Sequence, residues 1–363
     1  MPASTRPAPA RARAGPAPAE NLDVLVGEVR TTLLQNSHQV GADTVARLLD
    51  LDPGRRVLRA TRPFTYAVSP DERVGVHCPL PTGSGTRADG VGTVLARASV
   101  TGGIILQASA RARLVRAAGE RRLPWSHYLT NPGTIEVGAR CGAPDLTAGF
   151  LRDSARSSPA AGPAREYLDL GAVVNRLLNQ VQRMPYIDRV TMLRARRTRL
   201  RFAVTWRSPD SGELAESPDI ELVVHDETSR TVRLRLPASI SDPAEAVVAC
   251  EDLALHDWLL TTVANLMENS RIGVDPAAEV VARIRPAVDH LLHLWMPGAR
   301  VAEDLGWMWT ALERRPGFSR QWTSLRGQIQ NQLLLAVLEK PAAAPTHGNL
   351  VFQDGVEGIS HRA

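Results

Sequence analysis

The sequence predicts an α+β protein in which antiparallel β units precede a helical C-terminal bundle. Three observations predict this class: apolar residues alternate along a hairpin near residue 100, they alternate again near residue 200, and helical periodicity dominates after Ile240. With 363 residues, of which 44% are hydrophobic, the chain can form two or three domains with substantial cores.

Composition divides the chain into six segments. Residues 1–21 and 341–363 are rich in Pro, Ala and Gly and predict disordered tails, because few apolar side chains are present to offset the entropy of ordering. The segments between them are a β-rich region over 22–150, a linker or loop over 151–165, a helix with a three-stranded antiparallel sheet over 166–240, and a helical region over 241–340.

The clearest element of the β-rich region is a hairpin. Its strands run from Val91 to Val100 and from Ile104 to Val115, and the two glycines of the turn permit the positive φ that a tight turn requires. Alanine dominates one face of the hairpin, at Ala96, Ala98, Ala108, Ala110 and Ala112. Such small side chains predict that another element packs closely there.

The second β unit follows a helix expected from about Tyr167 to Arg183. Its strands are expected at Arg199 to Trp206, Ile220 to Val224 and Thr231 to Leu236. We expect the second of these to be the middle strand of an antiparallel sheet.

Proline and tryptophan mark the helical region. Asp242-Pro243 and Asp275-Pro276 each place an N-cap acid before a proline at the first helical position, Pro286 predicts a break and restart, and Pro297-Gly298 predicts an end. Five of the seven tryptophans lie after Ile240, which predicts a tightly packed helical core.

Several classes of function are disfavoured by composition. Lys340 is the only lysine, which disfavours a phosphate-binding P-loop and Schiff-base chemistry. The three cysteines are widely spaced and predict reduced thiols in a cytoplasmic protein, and no apolar run approaches the roughly 18 residues of a membrane span. The segment Gly83 to Ala88 matches a dinucleotide-binding pattern but lacks its strand and helix, and no GxSxG motif occurs. We therefore expect no cofactor.

Histidines and acids in the helical region form one candidate site. A helix restarting at Pro286 would place Asp289, His290 and His293 on one face, and His256 lies on a preceding apolar helix. Two imidazoles with a carboxylate could bind a divalent metal ion and support a metal-dependent hydrolase. The alternative is a solvated helix face for Asp289, His290 and His293, and a core histidine at His256 bonded to a backbone or carboxylate group.

Arginines on the second β unit form another candidate. Their sheet face could bind phosphates and make the protein a nucleic-acid-binding accessory factor, through Arg199, Arg201, Arg233 and Arg235. Against this, Glu221 can pair across the sheet, and the arginine-rich composition of the whole chain weakens the signal.

The last helix carries a third candidate. Trp322, Leu325, Ile329 and Leu333 recur at helical spacing and predict a face packed on the core. Leu334 and Leu338, with their neighbours, broaden that apolar stripe beyond what one packed side needs. We expect them to contact a protein partner or a second copy of the chain.

Four segments carry a resemblance to a known family: Arg121 to Leu129 (RRLPWSHYL), Cys250 to Thr262 (CEDLALHDWLLTT), Arg285 to Arg300 (RPAVDHLLHLWMPGAR) and Leu312 to Trp322 (LERRPGFSRQW). On these the chain resembles, from about Leu22 to Leu338, an uncharacterised actinobacterial family named after a Streptomyces locus. The resemblance implies a bacterial cytoplasmic protein whose gene neighbours encode a variant P-loop protein and a SAM-dependent methyltransferase. It assigns no catalytic residue. The favoured interpretation is a non-enzymatic component of a multi-protein system.

Overall fold

The structure is a computed structural model that describes residues 22–86, 88–119, 121–138, 140–152, 167–206, 217–237, 239–240 and 242–338. The predicted tails, 1–21 and 341–363, lie outside these ranges, and so does the predicted linker after residue 152.

The described chain forms one mixed sheet with helices on both faces, and the predicted α+β class is confirmed. The strands are β1 Val24–Leu33, β2 Leu58–Ala60, β3 Tyr66–Val68, β4 Glu72–Leu80, β5 Ala88–Thr101, β6 Ile105–Arg116, β7 Thr134–Val137, β8 Thr198–Thr205, β9 Asp219–Val224 and β10 Ser229–Arg235. The helices are α1 Ala42–Leu48, α2 Trp125–Thr130, α3 Ala143–Arg152, α4 Leu170–Gln182, α5 Ala244–Asn269, α6 Ala277–His290, α7 Gly306–Arg314 and α8 Phe318–Leu338. None of these helices combines the length and apolar character needed to cross a bilayer.

The sheet runs in the order β2-β3-β5-β7-β6-β1-β8-β10-β9, and β4 pairs with β5 beside this path. Strand β1 is its central element, because it pairs antiparallel with β6 on one side and with β8 on the other. The β strands of the region 22–150 and those of 166–240 therefore belong to a single sheet.

The predicted hairpin is confirmed, with β5 antiparallel to β6 and positive φ at Gly102 and Gly103. Its alanines are fully buried, and α4 lies across this face. Helix α4 begins after Asp169, whose side chain accepts a hydrogen bond from the Ala172 amide. The expectation that an element packs closely on the alanines is thus met by α4.

The predicted order of the second β unit is wrong. Strand β10, not β9, is in the middle, and it runs parallel to β8 and antiparallel to β9. Strand β9 lies at the end of the described sheet. Alternation of side chains fixes which face a residue takes, but it carries no information on which strand lies beside which.

The helical region packs on the sheet face opposite α4. Helix α5 begins where Asp242 accepts a hydrogen bond from the Ala244 amide, and it is buried almost all round. It lies against β1, β6 and β8 on one side and against α6 and α8 on the other. The predicted break at Pro286 is wrong, because α6 continues through it to His290.

Strand β1 allows a test of how closely β1 and β8 are packed. A methyl group added at Gly27 would overlap the ring of Phe202, whereas one added at Gly41 would meet nothing within 4 Å. Gly27→Ala should therefore lower the free energy of unfolding by about 1 to 3 kcal/mol through overpacking. Chemical denaturation measures it, with Gly41→Ala as the control. Equal stability of the two variants would contradict this packing.

Candidate functional site

A network of polar side chains is buried between the sheet and α5. Arg97 on β5 and Gln107 and Ser109 on β6 occupy the face of the hairpin opposite the alanines, so they point at α5. Glu251, at the second turn of α5, meets them and is 3% exposed. A helix that is apolar on nearly every side thus carries an acid into the interior.

Glu251 is held by a set of directed contacts. Arg97 donates to both of its carboxylate oxygens, at 2.8 and 2.7 Å, and the Ser109 hydroxyl donates at 2.5 Å. The guanidinium of Arg300 lies 3.9 Å from Oε2. Burial alone would raise the pKa of Glu251, but the charge and hydrogen bonds of Arg97 outweigh it and lower that pKa to about 2. Glu251 is therefore an anion in the interior at neutral pH.

The neighbouring acid and histidine of α5 bind the chain that follows α6. Asp252 accepts from the Gly298 amide at 2.8 Å and from the Trp309 indole at 3.1 Å. His256 donates a hydrogen bond from Nδ1 to the Asp252 carbonyl, and its Nε2 accepts one from the Met296 amide at 3.1 Å. Burial lowers the pKa of His256, which fits a neutral ring with its proton on Nδ1.

The proposed metal ligands do not assemble. Both nitrogens of His256 are occupied by backbone groups. Helix α6 ends at His290, so His293 lies in the separate turn Leu292–Leu294 and leaves the helix face predicted for it, while Asp289 pairs with Arg285. In the described part of the chain, no group of three or more His, Cys, Asp or Glu side chains could hold a metal ion. The arrangement of the described residues gives no support to a metal-dependent hydrolase at this position.

The four arginines proposed for nucleic acid do share one sheet face, as the register of β8 with β10 requires. That face is not open. Arg201 is 4% exposed, pairs with the buried Glu28 at 2.9 Å, and lies over the ring of Phe150 from α3. Arg199 and Arg235 are half-buried, and exposed Arg233 stands opposite Glu221 on β9. Helix α3 lies against β8 and β10 on this face, and α4 lies against the neighbouring strand β1.

The last helix matches its prediction more closely. Trp322 and Ile329 are buried, while Leu325 and Leu333 pack partly buried against the same core. Leu334 and Leu338 are 63% and 80% exposed, and Leu335 and Val337 are exposed beside them. We call these four residues the α8 apolar end.

Sequence analysis missed the network of Arg97, Ser109, Glu251 and Arg300. The signal that could have found it is an acid within a helix that is apolar on all sides, since such an acid is rarely buried without a partner. The partner of Glu251 could not be predicted, because Arg97 lies more than 150 positions away in the sequence.

The contacts of α5 also join the segment Cys250 to Thr262 to the segment Arg285 to Arg300. Comparison with known proteins adds nothing to this geometry: no protein-family model, no curated protein and no solved structure matches the chain.

The lowered pKa of Glu251 gives a prediction with a defined sign. Its folded pKa, about 2, lies below the ordinary value of 4.5, so its ionisation stabilises the fold above pH 4.5, and this contribution is lost as pH falls towards 2. Glu251→Gln should cost about 3 to 5 kcal/mol at neutral pH, because Arg97 is left buried without its counter-charge. The difference from wild type should shrink between pH 4.5 and the folded value.

Urea denaturation over a pH series measures both effects. Glu227→Gln is the matched control, since the Glu227 pair with Arg196 is mostly exposed and should contribute about 0 to 1 kcal/mol. A stability difference for Glu251→Gln that stays constant throughout the acid range would contradict the assignment.

Proposed function

We propose that this protein is a non-enzymatic, cytoplasmic component of a multi-protein bacterial system, and that it works by binding protein through the α8 apolar end. The observation that carries the proposal is the exposure of four large aliphatic side chains in the last two turns of a helix whose earlier turns are packed on the core. Contiguous exposed apolar surface of this kind is typical of protein contact sites.

The α8 apolar end is also uncharged. Residues 327–338 contain no acidic or basic side chain, and Gln and Asn supply the polar positions. Two such surfaces would bring no like charges together, so the surface is compatible with itself. We take its occupant to be a second copy of the chain, paired helix to helix, with Leu334 and Leu338 one turn apart as anchors.

The interior acids support a structural role rather than a catalytic one. Glu251 joins α5 to β5 and β6, and Asp257 joins it to Arg230 of β10 at 3.1 Å. Burial raises the pKa of Asp257 despite that pairing. Groups with displaced pKa values often mark active sites, but the carboxylates of Glu251 and Asp257 are both paired with side chains of the sheet and hold α5 on it.

The proposal predicts a change of assembly state on substitution. Leu334→Glu with Leu338→Glu should leave the fold intact, because both side chains lie in solvent. Each leucine that becomes buried on association contributes about 1.5 to 3 kcal/mol, so the double variant should raise the dissociation constant of the dimer by roughly a hundredfold or more. Sedimentation equilibrium over the micromolar range measures this, and circular dichroism checks the fold.

The matched control adds the same two charges elsewhere on α8. Ser324→Glu with Gln328→Glu places them one turn apart at exposed positions before the apolar end. This control should assemble as wild type does. A wild-type protein that remains monomeric throughout the series contradicts the second copy as occupant, and unfolding of the Leu334/Leu338 variant would show that the apolar end belongs to the core.

A further inference from the structure

A pocket of about 550 Å³ opens between the first turns of α8 and the chain that follows α6. Its size falls within the range of small-molecule sites, roughly 300 to 1,000 Å³. Its lining consists of Leu292, His293, Trp295, Ser319, Trp322, Thr323 and Arg326. None of the residues proposed to bind a partner lines it, so it is a separate feature of α8.

The apolar wall of the pocket is rigid. The indole rings of Trp295 and Trp322 are stacked with their centroids 4.3 Å apart and only 7° between their planes. The rings of Trp295 and His256 meet edge to face with their centroids 5.2 Å apart, and this contact fixes Trp295 further. Trp322 is buried and Trp295 is partly exposed, so the pair presents a preformed aromatic surface mainly through Trp295, and this surface needs little ordering when a flat ligand binds.

The polar wall carries a positive charge. Arg326 is exposed, and within the described part of the chain its guanidinium has no ion-pair partner. No carboxylate is among the lining residues described. Glu313, which precedes α8, accepts hydrogen bonds from the amide and hydroxyl of the lining residue Ser319, so its oxygens are already engaged.

His293 adds a neutral polar group to this wall. Burial, and then the proximity of His290, lower the pKa of His293. At neutral pH its imidazole can therefore donate or accept a hydrogen bond, while Arg326 supplies the permanent charge.

We propose that this pocket binds a small planar anion: an aromatic or heteroaromatic ring that carries one oxyanionic group. The ring lies against the tryptophan wall, and the guanidinium of Arg326 pairs with the oxyanion. Arginine suits this role because its planar fork of donors matches a carboxylate or phosphate in a bidentate arrangement.

The test uses 2-naphthoate as the probe and 2-naphthalenemethanol as its neutral counterpart. Calorimetric titration of the full-length protein should give saturable binding of the carboxylate and weaker binding of the alcohol. Arg326→Gln should weaken 2-naphthoate binding by about tenfold or more, the loss expected for a charge-assisted hydrogen bond. Arg326→Lys, which keeps the charge but not the fork, should fall between wild type and Arg326→Gln.

Two controls separate this site from the rest of α8. Arg320→Gln removes an exposed arginine of the same helix that does not line the pocket, and it should bind the probe as wild type does. The Leu334→Glu, Leu338→Glu variant should also bind normally, which makes the fate of this proposal independent of the partner-binding one. The proposal would be overturned by equal affinity for 2-naphthoate and 2-naphthalenemethanol, or by an equal loss of 2-naphthoate affinity in Arg326→Gln and Arg320→Gln. Binding that does not saturate would overturn it as well.

Discussion

The position of the helical half on the sheet depends on one carboxylate that stays charged in the interior. Apolar contacts hold α5 against the sheet, but they are non-directional and would tolerate a helix rotated or shifted by a few residues. The bidentate pair of Arg97 with Glu251 tolerates neither. Asp257 lies six residues further on, about 9 Å along the helix axis, and pairs with Arg230 of a different strand. Two anchors on separate strands fix both the rotation and the translation of α5.

The same helix turn positions the rest of the bundle. Asp252, next to Glu251, accepts hydrogen bonds from Gly298 and Trp309, and His256 one turn later accepts from Met296. These bonds hold the segment after α6 close to α5, and they place Trp295 against Trp322 of α8. A continuous series of directed contacts therefore runs from the sheet through α5 to the first turns of α8. The Asp252–His256 turn, which contacts neither a proposed ligand nor a proposed partner, positions the wall of the pocket.

Local patterns in the sequence predicted what depends on local structure. The β5–β6 hairpin, the close packing on its alanines, the start of α5 after Asp242-Pro243 and the exposure of Leu334 and Leu338 all follow from turn chemistry, side-chain size and helical periodicity. Pairing between distant strands did not, because β1 meets β8 across more than 160 positions of sequence. Arg201 shows the consequence: alternation assigned it to the correct face, but only the tertiary structure reveals that Glu28 and α3 cover it. For His256, burial with backbone partners was predicted as one alternative, but which backbone groups bind it could not be read from the sequence, because Met296 lies 40 positions away.

Helix α8 differs from the other helices in that its two halves have different surroundings. Phe318, Trp322 and Ile329 bind its first three turns to the core, whereas the last two turns extend with apolar side chains in solvent. An isolated helix is marginally stable in water, so these last turns depend on the packed part of α8 or on a covering surface. A ligand in the pocket and a partner at the α8 apolar end would contact the same rigid element. Any coupling between them would require α8 to shift against the segment that follows α6, and the stack of Trp295 on Trp322 is the contact that resists such a shift. Because a stack that close and parallel leaves little freedom, we expect the two proposed sites on α8 to act independently.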